Sequence, residues 1–146
     1  MRVVFDLDGT LALCGHRQHF IEGEHKDYAA FYAACVDDEP NWPVIWLLRS
    51  LFYAGTNRVE IWTGRRADQE TATRAWLRRY EANLCVALSM RLLGDTRPDI
   101  VLKREWLVQA RSEGRCPDLV FEDRTRCVEM WRSEGIACFQ VAAGNY

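Results

Sequence analysis

Asp6 and Asp8 stand one residue apart at the end of an apolar run, Val3-Val4-Phe5, and Gly9 and Thr10 follow at once. Two carboxylates so close are electrostatically costly unless positive charge lies between or beside them. The candidates are a metal, a phosphate with a metal, or an ordinary solvated turn. Further along, Thr63, Gly64 and Arg65 close the stretch "RVEIWTGR", Lys103 sits in "VLKREW", and Glu122 and Asp123 close "DLVFED". A hydroxyl, a lysine and a pair of carboxylates at each of two strand ends form a phosphoryl-transfer set. Asp6 can attack phosphorus and form an aspartyl-phosphate, dividing one difficult hydrolysis into two easier steps. A sugar alkoxide leaves poorly, so a second acid must protonate it, and Asp8 is placed for that task and for activating the water that follows. Thr63 and Lys103 would hold the phosphoryl oxygens. Asp6, Asp8, Asp123 and Glu122 are candidate ligands for Mg²⁺, which takes one or two protein carboxylates with water and substrate phosphate.

These residues need elements that bring them to one place. "RVVFD" reads as a short buried strand and "DYAAFYAAC" as a helical patch. Pro40 and Pro43 bracket a break, and "VIWLLRSLFYAG" reads as an apolar helix stopped by Gly55. A strand over Val59 to Thr63, a helix in "ADQETATRAWLRRYEA", a strand in "LCVALSM" and a helix in "RPDIVLKREWLVQARSEG" follow. Pro98 falls in the first turn of the last of these, and "DLVFED", "RTRCVEMWRSEG" and "IACFQV" complete the chain as strand, helix and strand. Strands alternating with helices predict an α/β fold, a doubly wound five-stranded parallel sheet. In such a sheet the crevice lies beyond the carboxyl ends of the strands, where Asp6 and Asp8, Thr63 and Arg65, and Glu122 and Asp123 all fall. Residues 16–43 are expected to form a small helical insert or cap over that crevice within one domain spanning 1–146.

Composition bounds the class. Hydrophobic residues at 49% with 27% charged fit a folded globular chain, and a net charge of −2 gives no global field for nucleic acid. The cations are almost all arginine, the only lysines being Lys26 and Lys103, so a local phosphate-binding groove remains open. Six cysteines without a C-x-x-C pair, no apolar stretch of membrane-spanning length and a first strand beginning at Met1 point to a reducing cytoplasm. Cys14 and the histidines His16, His19 and His25 follow no familiar zinc spacing, and His16 or His19 could instead touch a substrate phosphate. Phe31, Trp46 and Phe52 are expected in the core, and Trp62, Trp76 and Trp131 against the sheet. Tyr28, Tyr32 and Trp42 are left between core packing and stacking on unpaired bases, and Trp131 with the C-terminal "AAGNY" is a candidate subunit contact.

"DLDGT", the Thr of "WTGR", the Lys of "VLKREW" and "FEDR" resemble, in order, the four motifs of the haloacid-dehalogenase-like (HAD-like) phosphohydrolases. "GDTRPDIVLK" and "EDRTRCVEMWRSEGIACFQVAAGNY" look like the 3′-phosphatase domain of phage-type polynucleotide kinase/phosphatases, whereas residues 18–57 match poorly. The resemblance implies that Arg17, Arg65 and Asp99 assist Asp6, Asp8, Lys103 and Asp123, and that Gly64 belongs to the phosphate-binding segment. The family's closing carboxylate pair is often Asp-Asp, so Asp123 is the expected metal ligand ahead of the longer Glu122. Asp99 and Lys103 could equally form an i,i+4 surface ion pair worth only about 0.3–0.5 kcal/mol, and Arg17 could be a solvated loop residue. No G-x-x-x-x-G-K-[ST] occurs, which predicts a phosphatase without the kinase half. The function the resemblance implies is a Mg²⁺-dependent polynucleotide 3′-phosphatase acting on 3′-phosphate-ended DNA or RNA, with a separate kinase or ligase as candidate partners. A phosphatase of mononucleotides or other small esters, and a non-catalytic module that binds nucleic-acid ends, are the alternatives.

Overall fold

The computed structural model describes residues 1–82 and 87–144. The expected strand start at Leu84 to Val86, with Cys85, and the terminal Asn145 and Tyr146 lie outside the described residues. In chain order the elements are β1 (Arg2–Phe5), β2 (Ala12–Leu13), α1 (Tyr28–Ala33), β3 (Glu39–Pro40), α2 (Trp42–Tyr53), β4 (Arg58–Arg66), α3 (Glu70–Arg79), β5 (Ala87–Arg91), α4 (Asp99–Ser112), β6 (Leu119–Arg124), α5 (Thr125–Ser133) and β7 (Ala137–Gly144). Short 3₁₀ helices span Gly15–Phe20, Ala34–Asp37 and Ala67–Gln69. Pro43 lies in the first turn of α2, where its missing N–H costs nothing, so the helix begins at Trp42, two residues ahead of the expected Val44. Pro98 stands just ahead of α4, with extended ψ, and not within its first turn.

Five strands form one parallel sheet in the order β5-β4-β1-β6-β7, as the alternation predicts. Alternate residues of each strand face opposite ways. Val3, Phe5, Val59, Ile61 and Phe121 pack with Ile45 and Leu48 of α2 and with Trp76 and Leu77 of α3. Val4, Trp62 and Val120 pack on the other face with Leu107 and Ala110 of α4 and Val128 and Trp131 of α5. The central strands β1, β4 and β6 are therefore buried on both faces, which is why they read as nearly continuous apolar runs.

Two aromatic expectations need correction. Trp46 is 60% exposed, because its neighbours Ile45 and Leu48 already fill the stripe of α2 that faces the sheet. Trp131 is fully buried beside Trp62, with ring centroids 5.8 Å apart, so it is closed to any subunit contact. Phe31 and Phe52 do join the interior, and no helix among the described residues is long and apolar enough to cross a membrane.

The strand order places the switch point between β1 and β6. The chain builds outward from β1 through β4 to β5, then returns across the sheet by way of α4 to β6 and β7. Connections therefore leave the carboxyl ends of β1 and β6 in opposite directions, and a crevice opens there. Beyond β1 the loop coils tightly: the Leu7 carbonyl accepts from the amides of Thr10, Leu11 and Ala12 at 2.8–3.2 Å. Gly9 turns it with φ at 90°, a value that side chains disfavour. β2 pairs antiparallel with β3, and Asn41 donates its amide to Leu11 and its side chain to Thr10, so both ends of the intervening insert are anchored beside Asp6 and Asp8.

Candidate active site

A cavity of about 730 Å³ opens at the switch point, within the range of small-molecule sites. Asp6, Asp8, Gly64, Arg65, Lys103 and Glu122 line its floor, and Tyr28, Phe31 and Tyr32 of the insert contribute to its wall. Asp6 continues β1 by one residue, its amide donating to the Phe121 carbonyl of β6 at 2.9 Å. That bond sets the Asp6 carboxylate against the end of β6. Lys103 reaches up from α4 and its Nζ donates to Asp6 Oδ1 at 2.7 Å and to Glu122 Oε2 at 2.6 Å.

Asp6, Glu122 and Asp123 each offer an oxygen within 4.8 Å of the others, and all three are buried. Burial pushes the Asp6 carboxyl up to about 7, Lys103 opposing the rise and Glu122 adding to it. Glu122 is raised by burial as well, with Lys103 again opposing. Burial works against the lysine's charge, yet the two acids lift Lys103 well above its ordinary value. Three buried carboxylates, two of them bonded by one ammonium, so gather their oxygens in a desolvated place. That donor set fits a hard, oxygen-seeking divalent cation. The end of β7 is shaped around it: a Cβ on Gly144 would lie 2.6 Å from Asp123 Oδ2.

Asp8, expected as a ligand beside Asp6, turns elsewhere. Its carboxylate accepts from Arg17 NH2 at 2.6 Å and from Arg65 Nε and NH2 at 2.9 and 2.6 Å. Burial would raise its pKa, but the two guanidiniums overcome this and hold it at about 2. The cation-seeking trio is thus Asp6, Glu122 and Asp123, while two arginines claim the Asp8 side chain. Arg17 and Arg65 are fully buried, so the solvated reading of Arg17 does not hold. Asp38, which no motif marks, joins both arginines from the insert.

Thr63 is fully buried, its Oγ1 accepting the Arg65 amide at 3.1 Å, and it lies behind the cavity wall instead of in it. Asp99 does not pair with Lys103 as an i,i+4 partner. It bonds Arg91, and Arg124 NH1 at 2.6 Å, because Lys103 turns inward to the buried acids. Gly64 permits this: a Cβ there would meet the Asp99 carboxylate carbon at 2.7 Å, and the Gly64 carbonyl accepts from Arg91 Nε at 2.9 Å. Arg91 and Arg124 were not legible as site residues; the one weak signal is Arg124's place directly after the Glu122-Asp123 pair. His16 bonds Asp38 Oδ1 at 2.9 Å and is not a wall residue. Trp42 packs edge-on against Tyr80, away from the cavity, whereas Tyr28 and Tyr32 line it.

The fold is that of the HAD-like α/β proteins. A haloacid-dehalogenase-like hydrolase family protein, SP0104 from Streptococcus pneumoniae, superposes with a TM-score of 0.66 at 13% identity over 98% of this chain and 85% of its own. The family model for the polynucleotide kinase PNKP phosphatase domain matches residues 1–146, and the chain belongs to that family. Two chains from structures of a Pnkp1/Rnl/Hen1 complex, one described as an RNA repair complex, are similar over 99% of this chain. They show 27% and 30% identity with TM-scores of 0.84 and 0.79. This chain covers 43% and 47% of them, less than half of their length.

Proposed function

We propose that this protein is a Mg²⁺-dependent polynucleotide 3′-phosphatase that removes a terminal 3′-phosphate from DNA or RNA and leaves a 3′-hydroxyl. The observation that carries the reading is the division of two neighbouring aspartates between two surroundings. Asp6 faces a lysine and two further acids, whereas Asp8, two residues on, is held by two arginines. One carboxylate is thereby suited to attack phosphorus and the other to move protons, a pairing of roles that environment sets.

Asp6, Glu122 and Asp123 would hold the cation, and when bound it would favour ionised Asp6 and offset the charge of the phosphate. Asp6 Oδ attacks phosphorus while the bond from phosphorus to the 3′-oxygen breaks, and Asp8 gives its proton to that oxygen. An entering phosphate brings negative charge beside Asp8, and like charge raises a carboxyl's pKa toward the protonated form this step needs. Water then attacks the aspartyl-phosphate, losing its proton to Asp8. Lys103 and the backbone at Gly64, which line the cavity, are the groups for the phosphoryl oxygens, with Arg17 and Arg65 holding Asp8 and Asp99 holding Arg91 and Arg124.

The cavity is larger than a bare phosphate requires, and Tyr28 and Tyr32 offer ring surface within it, which favours a nucleotide end over a small ester. A 3′-hydroxyl is what a ligase consumes. The similarity to chains of the Pnkp1/Rnl/Hen1 complex therefore supports a separate kinase or ligase as a partner of this activity. Phosphate release should be measured from a 3′-phosphorylated oligonucleotide, a 3′-mononucleotide and p-nitrophenyl phosphate, with Mg²⁺ and with chelator. The expected result is metal-dependent release that favours the oligonucleotide. Equal or better release from the small esters would place the substrate among them, and no release from any would leave a binding module.

A further inference from the structure

We infer that Asp38 is a positioning residue for the acid–base carboxylate of Asp8, fixing Arg17 and Arg65 in the one arrangement from which both reach it. The inference rests on the phosphatase reading above and assigns a role inside its site. Asp38 is fully buried and follows the 3₁₀ helix Ala34–Asp37 of the insert. Its two oxygens take Arg17 side-on, Nε at 2.7 Å and NH2 at 2.7 Å, and the same NH2 goes on to Asp8 Oδ1 at 2.6 Å. Arg65 repeats the pattern in reverse. Its Nε and NH2 edge grips Asp8, and NH2 goes on to Asp38 Oδ2 at 2.6 Å. Two guanidiniums and two carboxylates so form a closed, charge-balanced ring.

Guanidinium donors point in fixed directions within one plane. Once Asp38 sets the plane of Arg17, the position of the donor that meets Asp8 is set too. The outer contacts complete the frame. Arg17 NH1 reaches the Phe31 carbonyl at 3.4 Å, and its guanidinium lies 4.2 Å from the Phe31 ring centroid. Arg65 NH1 reaches Thr73 Oγ1 at 3.4 Å, and Trp76 Nε1 of α3 donates to the Asp38 carbonyl at 2.8 Å. Asp38 itself is no part of the cavity wall, so it acts through Asp8 and not on substrate. Because Asp38 belongs to the insert, seating of the segment that carries Tyr28 and Tyr32 fixes where Asp8 points.

The two half-reactions separate this role from a merely structural one. With p-nitrophenyl phosphate, Asp6 displaces a phenolate that departs with its electron pair and needs no proton. The second half still needs Asp8 to take the proton of the attacking water. Asp38→Asn and Asp38→Ala are therefore expected to release about one p-nitrophenolate per active site in a burst near the wild-type rate. Steady-state turnover should then be about 100-fold slower, the scale of a lost proton transfer. With a 3′-phosphorylated oligonucleotide both halves need Asp8, so kcat should fall at least as far with no burst and with KM within about threefold. Burst amplitude counts folded sites, which keeps partial unfolding out of the rate constants. Adding Asp38→Asn to an Asp8→Asn protein should leave the steady-state rate of the single variant unchanged.

Equal loss of burst rate and steady-state rate, a change confined to KM, or wild-type kinetics would each overturn the inference. A wild-type protein that releases no phosphate at all would instead sink the phosphatase reading beneath it.

Discussion

Asp6→Asn is expected to lower turnover of a 3′-phosphorylated oligonucleotide by about 10⁴-fold or more, the scale seen when a covalent nucleophile is removed. Asparagine keeps the shape of the side chain and an oxygen that can accept from Lys103, whose Nζ stands 2.7 Å from Asp6 Oδ1. It removes one of three buried acids gathered within 4.8 Å, so the fold should persist and the metal-free Tm should not fall. What should shrink is the rise in Tm on adding Mg²⁺, because ligand-linked stabilisation follows affinity and the cluster has lost a charged ligand. Thermal unfolding with and without Mg²⁺, beside steady-state phosphate release, checks both halves. Turnover within tenfold of wild type would remove Asp6 from the chemistry.

Lys103→Met should damage stability as well as rate. Methionine fills much the same volume, but Asp6 and Glu122 lose the single ammonium that both bond, at 2.7 and 2.6 Å. Removing one partner of a buried ion pair costs about 3–5 kcal/mol. The pH sense follows from the same acids. Both carboxyls already titrate high through burial, and loss of the lysine's opposing charge raises them further. The folded state then binds protons more tightly than the unfolded chain, so this component of stability falls as pH rises above the ordinary carboxylate range. The Tm gap to wild type should be widest near pH 8 in chelator and should narrow toward pH 5, and Mg²⁺ should narrow it as well. Turnover should drop about 10²–10³-fold with the loss of a charge partner for the phosphoryl oxygens. A Tm gap that does not change with pH would mean that Lys103 packs there without holding the acids.

The parts of the site visible in the amino-acid order are those fixed by a strand end. Asp6 and Asp8 after β1, Thr63 to Arg65 in β4, and Glu122 and Asp123 in β6 occur as short local words, each tied to a change from apolar strand to polar turn. The parallel sheet and its two helical faces were equally legible, since the central strands are apolar on both sides and the helices alternate with them. Asp38 could not be read in this way. It lies 21 residues from Arg17 and 27 from Arg65, inside an acidic run Asp37-Asp38-Glu39 in which nothing distinguishes the buried member. Asp8 shows the complementary limit. Its type and spacing suit a metal ligand and an acid equally, and the three-dimensional approach of Arg17 and Arg65 turns its carboxylate from the cation-seeking trio. Trp46 was misplaced because an apolar helix flanked by aromatics does not show which aromatic faces the sheet and which faces solvent.

The most direct test of the account is to look for phosphate on Asp6. Protein mixed with an oligonucleotide carrying radiolabelled 3′-phosphate would be quenched in acid within milliseconds to seconds and cleaved, and the labelled peptide sequenced. Transient label is expected on the peptide containing Asp6, labile to hydroxylamine as an acyl-phosphate is. No label should appear in Asp6→Asn. Release of phosphate at the full rate with no label on the protein at any time, together with undiminished turnover by Asp6→Asn, would contradict it.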